Sequence, residues 1–367
     1  MAADAHNYPD IPRRRTRSVV IGDVTIGGDA PVAVQSMTTT TTADVAATVA
    51  QIDALVAAGC DLVRVAAATQ EDTAALSAIV EAVNVPVIAD VHFHFQRALE
   101  AIEAGAAKIR LNPGNIADRG QVREVIAAAT AAGVAIRVGV NEGSIVDRRA
   151  GEQRDADLDK PLVDLMVDKL AEYLEVFEEA DFGKLVLSAK SHDAVTTIAV
   201  NRRMAERWDY PIHLGLTHAG LAAEAAIRSA AALGALLAEG IGDTIRISFA
   251  GDPVAEVSAA CELLASLRLR QRRGIELIAC PTCGRCEMDI AALAGQVKAA
   301  LADIDTPLTV AVMGCVVNGP GEAEGADVAI CAGKGRAILY VRGQKIGTIP
   351  ASDIVPAVVD EVTKLNA

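Results

Sequence analysis

The hydrophobic positions of this chain repeat in a regular order from about residue 31 to residue 267. A short apolar run is followed by a polar turn and then by a longer alanine-rich segment with apolar residues three and four positions apart. This order is typical of strands that alternate with amphipathic helices, such as the helices predicted at 43–58 and 70–83. The predicted strands are 32–36, 61–65, 86–89, 107–111, 134–139, 184–188, 211–216 and 244–248.

Eight strand–helix units over about 250 residues have the length of a (β/α)8 TIM barrel, in which right-handed crossovers bring all strands into one closed parallel sheet. An open doubly wound sheet is the alternative. No G-x-G-x-x-G motif opens a helix after the first predicted strand, which weighs against a dinucleotide-binding fold. We therefore predict a TIM barrel, of class α/β, over residues 31–267.

Shorter segments flank the predicted barrel on both sides. Residues 1–30 are predicted to form an N-terminal arm and a hairpin that turns at Gly22-Asp23. The arm contains the basic run from Arg13 to Arg17, which we interpret as a solvated arm rather than a nucleic-acid surface. Residues 268–274 are crowded with arginine before a glycine and are predicted to be a linker.

The remaining residues, 275–367, are predicted to form a small α+β domain. Its strands are expected at 275–279, 307–312, 327–331 and 336–342. Its helices are expected at 287–302 and from about residue 351.

Composition limits the classes of function. Hydrophobic residues make up 51% of the chain but aromatic residues only 3%, so the core must consist mainly of Ala, Val, Leu and Ile. A net charge of −14 argues against a nucleic-acid surface and makes any local basic cluster more informative. We find no apolar run of the ~20 residues needed to cross a bilayer and no export signal at the start. Seven cysteines, an odd number, fit a reducing compartment, so we expect a soluble cytoplasmic protein.

A group of thiols in the last quarter of the chain indicates metal chemistry. Cys280 and Cys283 are three residues apart, and Cys315 follows about thirty residues later. This spacing fits a structural zinc site, a redox dithiol or an iron–sulfur cluster. The loop after Cys315 contains turn-forming residues and ends in the carboxylate of Glu322, and such a tight backbone suits a compact cofactor.

Polar residues stand where the predicted barrel strands end, which is where catalytic groups of such barrels lie. Five of them are cations in otherwise apolar strands, and a buried guanidinium needs an anion. A diphosphate, with several oxygens for bidentate contacts, is the natural counter-charge. The candidate residues are Arg64, Asp90, His92, Arg110, Asn112, Arg137, Asn141, Lys190, Arg246 and Ser248.

Several motifs together resemble one enzyme family, the (E)-4-hydroxy-3-methylbut-2-en-1-yl diphosphate synthases of the non-mevalonate isoprenoid pathway, in the bacterial two-domain form. The resemblance covers nearly the whole chain. The C-terminal motifs are Cys280-Pro281-Thr282-Cys283-Gly284-Arg285 and Met313-Gly314-Cys315-Val316-Val317-Asn318-Gly319-Pro320-Gly321-Glu322. Those of the barrel are Val34-Gln35-Ser36-Met37-Thr38, Asp61-Leu62-Val63-Arg64-Val65, Ala89-Asp90-Val91-His92-Phe93, Ile109-Arg110-Leu111-Asn112-Pro113-Gly114-Asn115, Arg137-Val138-Gly139-Val140-Asn141 and Glu239-Gly240-Ile241-Gly242-Asp243-Thr244-Ile245-Arg246.

The resemblance implies a reductive iron–sulfur enzyme. The family opens the ring of 2-C-methyl-D-erythritol 2,4-cyclodiphosphate and removes a hydroxyl with two electrons, giving 4-hydroxy-3-methylbut-2-enyl diphosphate. It implies that the strand-end residues hold the cyclic diphosphate and that flavodoxin or ferredoxin supplies the electrons. It also implies a homodimer in which the cluster domain of one chain caps the barrel of its partner. The implied ligands of a [4Fe–4S] cluster are Cys280, Cys283, Cys315 and Glu322, the weak carboxylate leaving one iron open to substrate.

The chain departs from the family at two positions. Cys286, where the family does not require a thiol, is either an unliganded neighbour of the cluster or a competitor of Glu322. Where the family usually has Thr-Glu-Ala-Gly, with the glutamate as a proposed acid or base, this chain has Thr217-His218-Ala219-Gly220. Because imidazole can also deliver a proton to a leaving hydroxyl, we predict that His218 is catalytic in place of the carboxylate.

Two other classes of function are compatible with the residues. The first is a barrel lyase or aldolase that acts on a phosphorylated substrate, with Lys190 as a Schiff-base residue and the thiols holding structural zinc. The second is a non-catalytic module that binds phosphate or carries metal. Colour separates an iron–sulfur protein, which is brown, from a zinc protein, which is colourless.

Overall fold

The computed structural model of the chain describes residues 11–92, 94–111, 116, 118–145, 160–218, 220–317 and 319–366. The chain divides into two compact units, one ending at Arg270 and the other beginning at Gln271. This division falls between residues of the predicted linker. The domain bounds assigned from the sequence stay predictions.

The first unit begins with an antiparallel hairpin of β1 (Val19–Ile21) and β2 (Val24–Ile26), which turns at Gly22 with φ +60°. Eight parallel strands follow. They are β3 (Ala33–Met37), β4 (Leu62–Ala66), β5 (Val87–Val91), β6 (Lys108–Leu111), β7 (Ala135–Asn141), β8 (Leu185–Lys190), β9 (His213–Leu214) and β10 (Thr244–Ile245).

The eight strands close into a barrel. Their order is β8-β7-β6-β5-β4-β3-β10-β9, and a parallel bridge between Leu187 of β8 and Ile212, just before β9, joins the two ends. The helices that follow the strands are α1 (Val45–Ala57), α2 (Gln70–Ala82), α3 (Phe95–Glu103), α4 (Arg119–Ala132), α5 (Leu162–Glu179), α6 (Ala194–Arg207), α7 (Ala222–Ala238) and α8 (Pro253–Ser266). The TIM-barrel prediction is thereby confirmed.

Capping residues set where several of these helices begin. Thr69 and Asp72 form a capping box at the start of α2, each side chain accepting a hydrogen bond from the other's backbone N–H. Asp252 accepts a hydrogen bond from Val254 N–H, and Pro253 occupies the first turn of α8. These local signals explain why the helix bounds were readable from the sequence to within a few residues.

The two faces of each barrel strand have different chemistry because side chains alternate along a strand. In β4, Val63 and Val65 face outward and pack in the main hydrophobic core with the helices. Leu62 and Arg64, on the other face, point into the barrel interior. Leu62 packs near the floor of the barrel, whereas Arg64 lines a cavity at its mouth.

The hairpin covers the floor of the barrel. Val19, Ile21 and Ile26 are buried against the first inward-facing residues of the strands. Those strand residues are Ala33, Leu62, Ile88, Ala135 and Val186. This apolar layer closes the amino-terminal end of the barrel. One charged residue lies at the same level: Lys108 is fully buried and stands in register with Ile88 and Ala135. Its Nζ lies 3.5 Å from Gln35 Oε1.

The prediction of a solvated arginine arm was wrong for two of its residues. Arg14 donates from Nη1 to Trp208 O at 2.6 Å and from Nη2 to Tyr210 O at 2.7 Å. Arg13 donates from Nη2 to Gly242 O at 2.5 Å and pairs with Asp243 at 3.3 Å. Burial lowers the pKa of both guanidinium groups, although Asp243 opposes the shift. The sequence around these arginines could not reveal their partners, because the carbonyl groups that accept their hydrogen bonds lie about 190 to 230 positions further along the chain.

The second unit is a five-stranded sheet with a larger apolar cluster on one face and a smaller one on the other. Its strands are β11 (Glu276–Ala279), β12 (Thr309–Met313), β13 (Val328–Gly333), β14 (Arg336–Val341) and β15 (Gln344–Pro350), paired in that order. Strands β11 to β13 are parallel and β13 to β15 are antiparallel. Its helices are α9 (Ile290–Ala300), α10 (Gly319–Glu322) and α11 (Ile354–Asn366).

The core of this unit lies between the sheet and the helices α9 and α11, with Val297, Val312, Ile330 and Val358 fully buried. The α+β class was predicted, but strand β15 was not. It is an edge strand whose residues are exposed or half-buried on both faces, so it lacks the alternation of apolar and polar positions that identifies a strand.

We expect the substitution Arg14→Met to destabilise the protein by about 1–3 kcal/mol, because it leaves carbonyl groups of the barrel without their donor. Arg15→Met is the matched control, since Arg15 is exposed, and it should change the free energy of unfolding by less than about 0.5 kcal/mol. Chemical denaturation measures both. Equal effects of the two substitutions would contradict the structural role of Arg14.

Candidate active site and thiol site

A cavity of about 700 Å³ opens at the carboxyl-terminal ends of the barrel strands. Its described lining is dominated by charged and polar side chains, as expected at the mouth of a TIM barrel. The lining residues are Arg64, Asp90, His92, Arg110, Arg137, Asn141, Ser188, Lys190, Leu216, Thr217, His218, Gly220, Leu221, Arg246, Ser248, Phe249, Ala250 and Glu256.

The structure brings together in this cavity the candidate residues that it describes. They are Arg64, Asp90, His92, Arg110, Arg137, Asn141, Lys190, Arg246 and Ser248, with His218. Asn112 lies outside the described residues. The predicted roles of these side chains in binding and catalysis stay predictions.

Asp90 holds the two neighbouring arginines of the cavity. Its carboxylate lies 3.1 Å from Arg110 Nη1 and 3.5 Å from Arg64 Nε, and His92 Nε2 is 3.6 Å away. Burial acts to raise the pKa of Asp90, but attraction to Arg64, the hydrogen bond from His92 and the charge of Arg110 outweigh it and lower the pKa. Asp90 is therefore a buried carboxylate that orients cations.

Arg137 is buried at the mouth with part of its guanidinium unpartnered. It is 2% exposed, and among the described residues its Nε and Nη1 have no hydrogen-bond partner. Burial, and then the charge of Arg64, lower its pKa well below the ordinary value for arginine. A buried guanidinium with free donors fits a site that receives an anion.

Lys190 has a buried histidine, His213, within hydrogen-bond distance, and the sequence analysis did not identify this partner. Its Nζ lies 3.2 Å from His213 Nε2, and His213 Nδ1 lies 3.2 Å from Thr244 Oγ1. Burial, and then the charge of Lys190, lower the pKa of His213 well below its ordinary value. Burial, and then the charge of Arg137, likewise lower the pKa of Lys190 well below its ordinary value, so the two groups share one buried hydrogen bond.

Glu256 of helix α8 is a second acidic residue that the sequence reading missed. It is 4% exposed, accepts a hydrogen bond from Phe249 N–H at 2.9 Å and lies 3.2 Å from Arg246 Nη2. A glutamate four residues after the helix cap gives no sequence signal of a partner ten residues before it. Its position fixes both Arg246 and the loop that follows β10.

The described cavity lining thus carries five cationic side chains against two carboxylates. The cations are Arg64, Arg110, Arg137, Lys190 and Arg246. Repulsion between unit charges at 4 Å is about 4 kcal/mol at an effective dielectric constant near 20, so the surplus favours binding of a multiply charged anion.

His218 lies at the rim of the cavity in a backbone conformation that is uncommon for a side-chain-bearing residue. Its φ is +52°, its side chain is exposed, and Gly220 follows with φ +106°. Left-handed backbone of this kind is enriched at functional sites and is more accessible to histidine than to bulky residues. The turn places His218 among the residues that line the cavity.

The thiols of the second unit lie at the carboxyl ends of two adjacent parallel strands. Cys280 follows β11 and its N–H donates to Val312 O of β12 at 3.1 Å, while Cys315 is separated from the end of β12 by Gly314. Arg285 interacts with both loops: a hydrogen bond to Cys315 and the charge of Cys283 raise the pKa of its guanidinium. Sheet pairing has thus placed thiols that are distant in sequence beside one another.

These residues fit an iron–sulfur cluster in the chemistry of their donors, since soft thiolates are the ligands that such clusters take. In the described part of the chain, the thiols lie near one another but do not surround a metal position. No three His, Cys, Asp or Glu side chains there stand at metal-ligand spacing. The side chain of Glu322 lies outside that part. A side chain at Gly314 would collide with Cys286 and Cys280, so glycine there leaves room beside the sulfurs.

Taken together, the fold and the two sites define a class: a (β/α)8-barrel protein with a cationic cavity at its mouth and a second, thiol-bearing α+β domain. Residues 16–261 match the GcpE TIM-barrel domain, and residues 276–364 match the GcpE protein C-terminal domain. The chain belongs to the GcpE family.

Curated relatives match nearly the whole chain. It is 47% identical over 355 residues to the 4-hydroxy-3-methylbut-2-en-1-yl diphosphate synthase (flavodoxin) of Nocardia farcinica, covering 96% of this chain and 91% of that protein. It is 46% identical over 371 residues to 4-hydroxy-3-methylbut-2-en-1-yl diphosphate synthase (flavodoxin) 1 of Streptomyces avermitilis, covering 100% and 95%. These relatives are enzymes, so the reading as a non-catalytic module and the barrel-lyase reading are not favoured.

A solved structure supports the fold alone. Dihydropteroate synthase from Stenotrophomonas maltophilia superposes with a TM-score of 0.50 at 18% identity and covers 68% of this chain and 98% of that one.

Within the described residues, no helix has the length and apolar character to cross a membrane.

We expect Asp90→Asn to destabilise the protein by about 3–5 kcal/mol, because removing one partner of a buried ion pair leaves buried charge unpaired. The exposed pair of Arg119 and Glu175 is the control, and Glu175→Gln should cost less than about 1 kcal/mol.

The pH dependence of stability tests the same carboxylate. Its pKa is lower in the folded chain, so its contribution is complete above the unfolded value of about 3.9 and is lost as the pH falls below it. Denaturation across pH measures this loss. A wild type and an Asp90→Asn variant with parallel stability profiles below pH ~5 would contradict the assignment.

Proposed function

We propose that this chain opens the ring of 2-C-methyl-D-erythritol 2,4-cyclodiphosphate and removes a hydroxyl by two-electron reduction, giving (E)-4-hydroxy-3-methylbut-2-enyl diphosphate. The observation that carries the proposal is Arg137, a buried guanidinium with unpartnered donors among the described residues, within a surplus of cations. A cyclic diphosphate supplies both the negative charge and the acceptor oxygens that this group needs.

The residues at the mouth would share the work of holding the substrate. Arg64, Arg110, Arg137, Lys190 and Arg246 would bind the diphosphate, and Asn141 would add a neutral hydrogen bond. Asp90 and Glu256 would keep three of the guanidinium groups aimed at the cavity. Such pre-oriented cations also stabilise charge that develops as the phosphate ester bond breaks.

Cys280, Cys283 and Cys315, with Glu322, would hold a [4Fe–4S] cluster in the second unit. When bound, the cluster would supply electrons one at a time for the reductive dehydroxylation. His218 would hold the proton that leaves with the hydroxyl, because its imidazole stands at the rim of the anion cavity.

The electron donor is proposed to be flavodoxin, as the names of the relatives state for those proteins, with ferredoxin as the alternative. We also propose a homodimer, in which the cluster domain of one copy covers the barrel of the other, as the family resemblance implies. A strictly monomeric yet fully active protein would contradict it. The reducing cytoplasm, which preserves free thiols, is the proposed compartment.

Anaerobic turnover tests the function directly. Protein with its brown cluster, a reduced low-potential dye and the cyclic diphosphate should yield the linear product, quantified by phosphorus NMR. Arg137→Met should keep the colour and the iron content but lose turnover, because the diphosphate loses its buried guanidinium. Wild-type protein with a full cluster and no product would mean that the barrel serves a different phosphorylated substrate.

The role of His218 is tested by two substitutions. His218→Ala should lower kcat by about 10²-fold or more, as expected when a general acid is removed. His218→Glu should restore much of that rate with a pH profile moved to lower pH, because a carboxylic acid loses its proton at lower pH than an imidazolium. If His218→Ala leaves both turnover and its pH profile unchanged, His218 is not the acid.

A further inference from the structure

Cys286 is a thiol with no part in the proposed ligand set, and the structure gives it a close partner. The chain reverses direction after Cys280: Thr282 has φ +53°, and Cys286 N–H donates to Cys283 O at 2.9 Å. This turn brings Cys286 back toward Cys280, and both sulfurs lie beside Gly314 of a neighbouring loop. The pair is therefore created by the local fold of the loop.

The neighbouring loop holds the same two sulfurs together. A β-carbon on Gly314 would lie 3.0 Å from Cys280 Sγ and closer still to Cys286 Sγ, so both sulfurs lie against the same glycine. Cys283 and Cys315 are placed differently, since both interact with Arg285. Cys331 is fully buried in β13. Cys280 and Cys286 therefore share one packing surface, with both sulfurs close to the same point of the neighbouring loop.

We propose that Cys280 and Cys286 are a modification site: in the cluster-free chain a small disulfide oxidant, such as glutathione disulfide, converts them to an intramolecular disulfide. One thiolate attacks a sulfur of the oxidant and releases one glutathione, forming a mixed disulfide. The second thiolate then attacks the protein sulfur of that bond and releases the other glutathione. Two protein thiols are oxidised and one external disulfide is reduced to two thiols.

Both sulfurs are accessible to such an oxidant, because Cys280 and Cys286 are half-buried rather than enclosed. The proximity of the two sulfurs at Gly314 also favours the second step, in which the resolving thiol must reach the mixed disulfide before another external thiol does. Because the product ties up Cys280, the oxidised chain cannot load a cluster until a thiol reductant reopens the bond. This consequence rests on the proposed function, whereas the disulfide does not.

Peptide mapping tests the disulfide on the full-length, cluster-free chain. After treatment with glutathione disulfide and alkylation of free thiols, trypsin cuts after Arg273, Arg285 and Lys298, so Cys280 and Cys286 fall in separate peptides, 274–285 and 286–298. We expect these two peptides to be joined in mass spectra without reductant and separate after reduction.

Single variants identify which cysteine of peptide 274–285 is joined. The linked pair should persist in Cys283→Ser and disappear in both Cys280→Ser and Cys286→Ser. A link that survives in Cys280→Ser, a closed loop between Cys280 and Cys283, or a link to peptide 299–334, which contains Cys315 and Cys331, would overturn the proposal. Circular dichroism checks that each variant is folded.

Cluster loading tests the consequence without using turnover. Iron and sulfide bound by oxidised wild type should fall to the level of Cys280→Ser and recover after dithiothreitol. Cys286→Ser, which keeps the proposed ligands, should load a cluster under reducing conditions and lose less after oxidation. Equal losses of bound iron and sulfide in wild type and Cys286→Ser would refute the inference that the Cys280–Cys286 disulfide prevents cluster loading. A chain that forms the disulfide but does not convert the cyclic diphosphate would refute the proposed function alone.

Discussion

The surplus of buried positive charge at the barrel mouth is the constraint on which the rest of the structure depends. Two carboxylates, Asp90 and Glu256, compensate part of it and fix the directions of three arginines. The remainder is left for a ligand, because Arg137 keeps unpartnered donors among the described residues. Such an arrangement costs stability in the empty protein, and an anion that neutralises it gains affinity for the same reason. The same repulsion between cations therefore lowers the stability of the empty protein and raises its affinity for an anion.

The barrel tolerates this charge because its strands separate the two roles by face. Outward residues such as Val63 and Leu187 build the apolar core with the helices, and the hairpin seals the floor over Ala33 and Val186. The inward residues near the carboxyl ends are then free to be polar. Rigid neighbouring strands hold Asp90, Arg110 and Arg137 in register across β5, β6 and β7. This scaffold keeps like charges close without allowing them to move apart.

The second unit applies the same geometric rule to different chemistry. Parallel pairing of β11 with β12 brings the loops that carry Cys280 and Cys315 to one edge of a sheet. Its main core lies under α9 and α11, and Cys286 packs against that core, whereas Cys280 packs against a smaller apolar cluster on the other face. The thiols are therefore held in place by sheet pairing and by apolar packing together.

The sequence by itself determined the barrel, the small α+β domain, the strand-end cations and the thiol loops, because periodicity, caps and spacing are local properties. Only the tertiary structure decided which groups meet. His213 behind Lys190, Glu256 beside Arg246, and the carbonyls that bind Arg14 gave no sequence signal, and the exposed edge strand β15 lacked a pattern. The pairing of Cys280 with Cys286 depended on one turn and on Gly314 from another loop. Residue patterns record the face on which a side chain lies, whereas its partner is set by contacts between segments far apart in the chain.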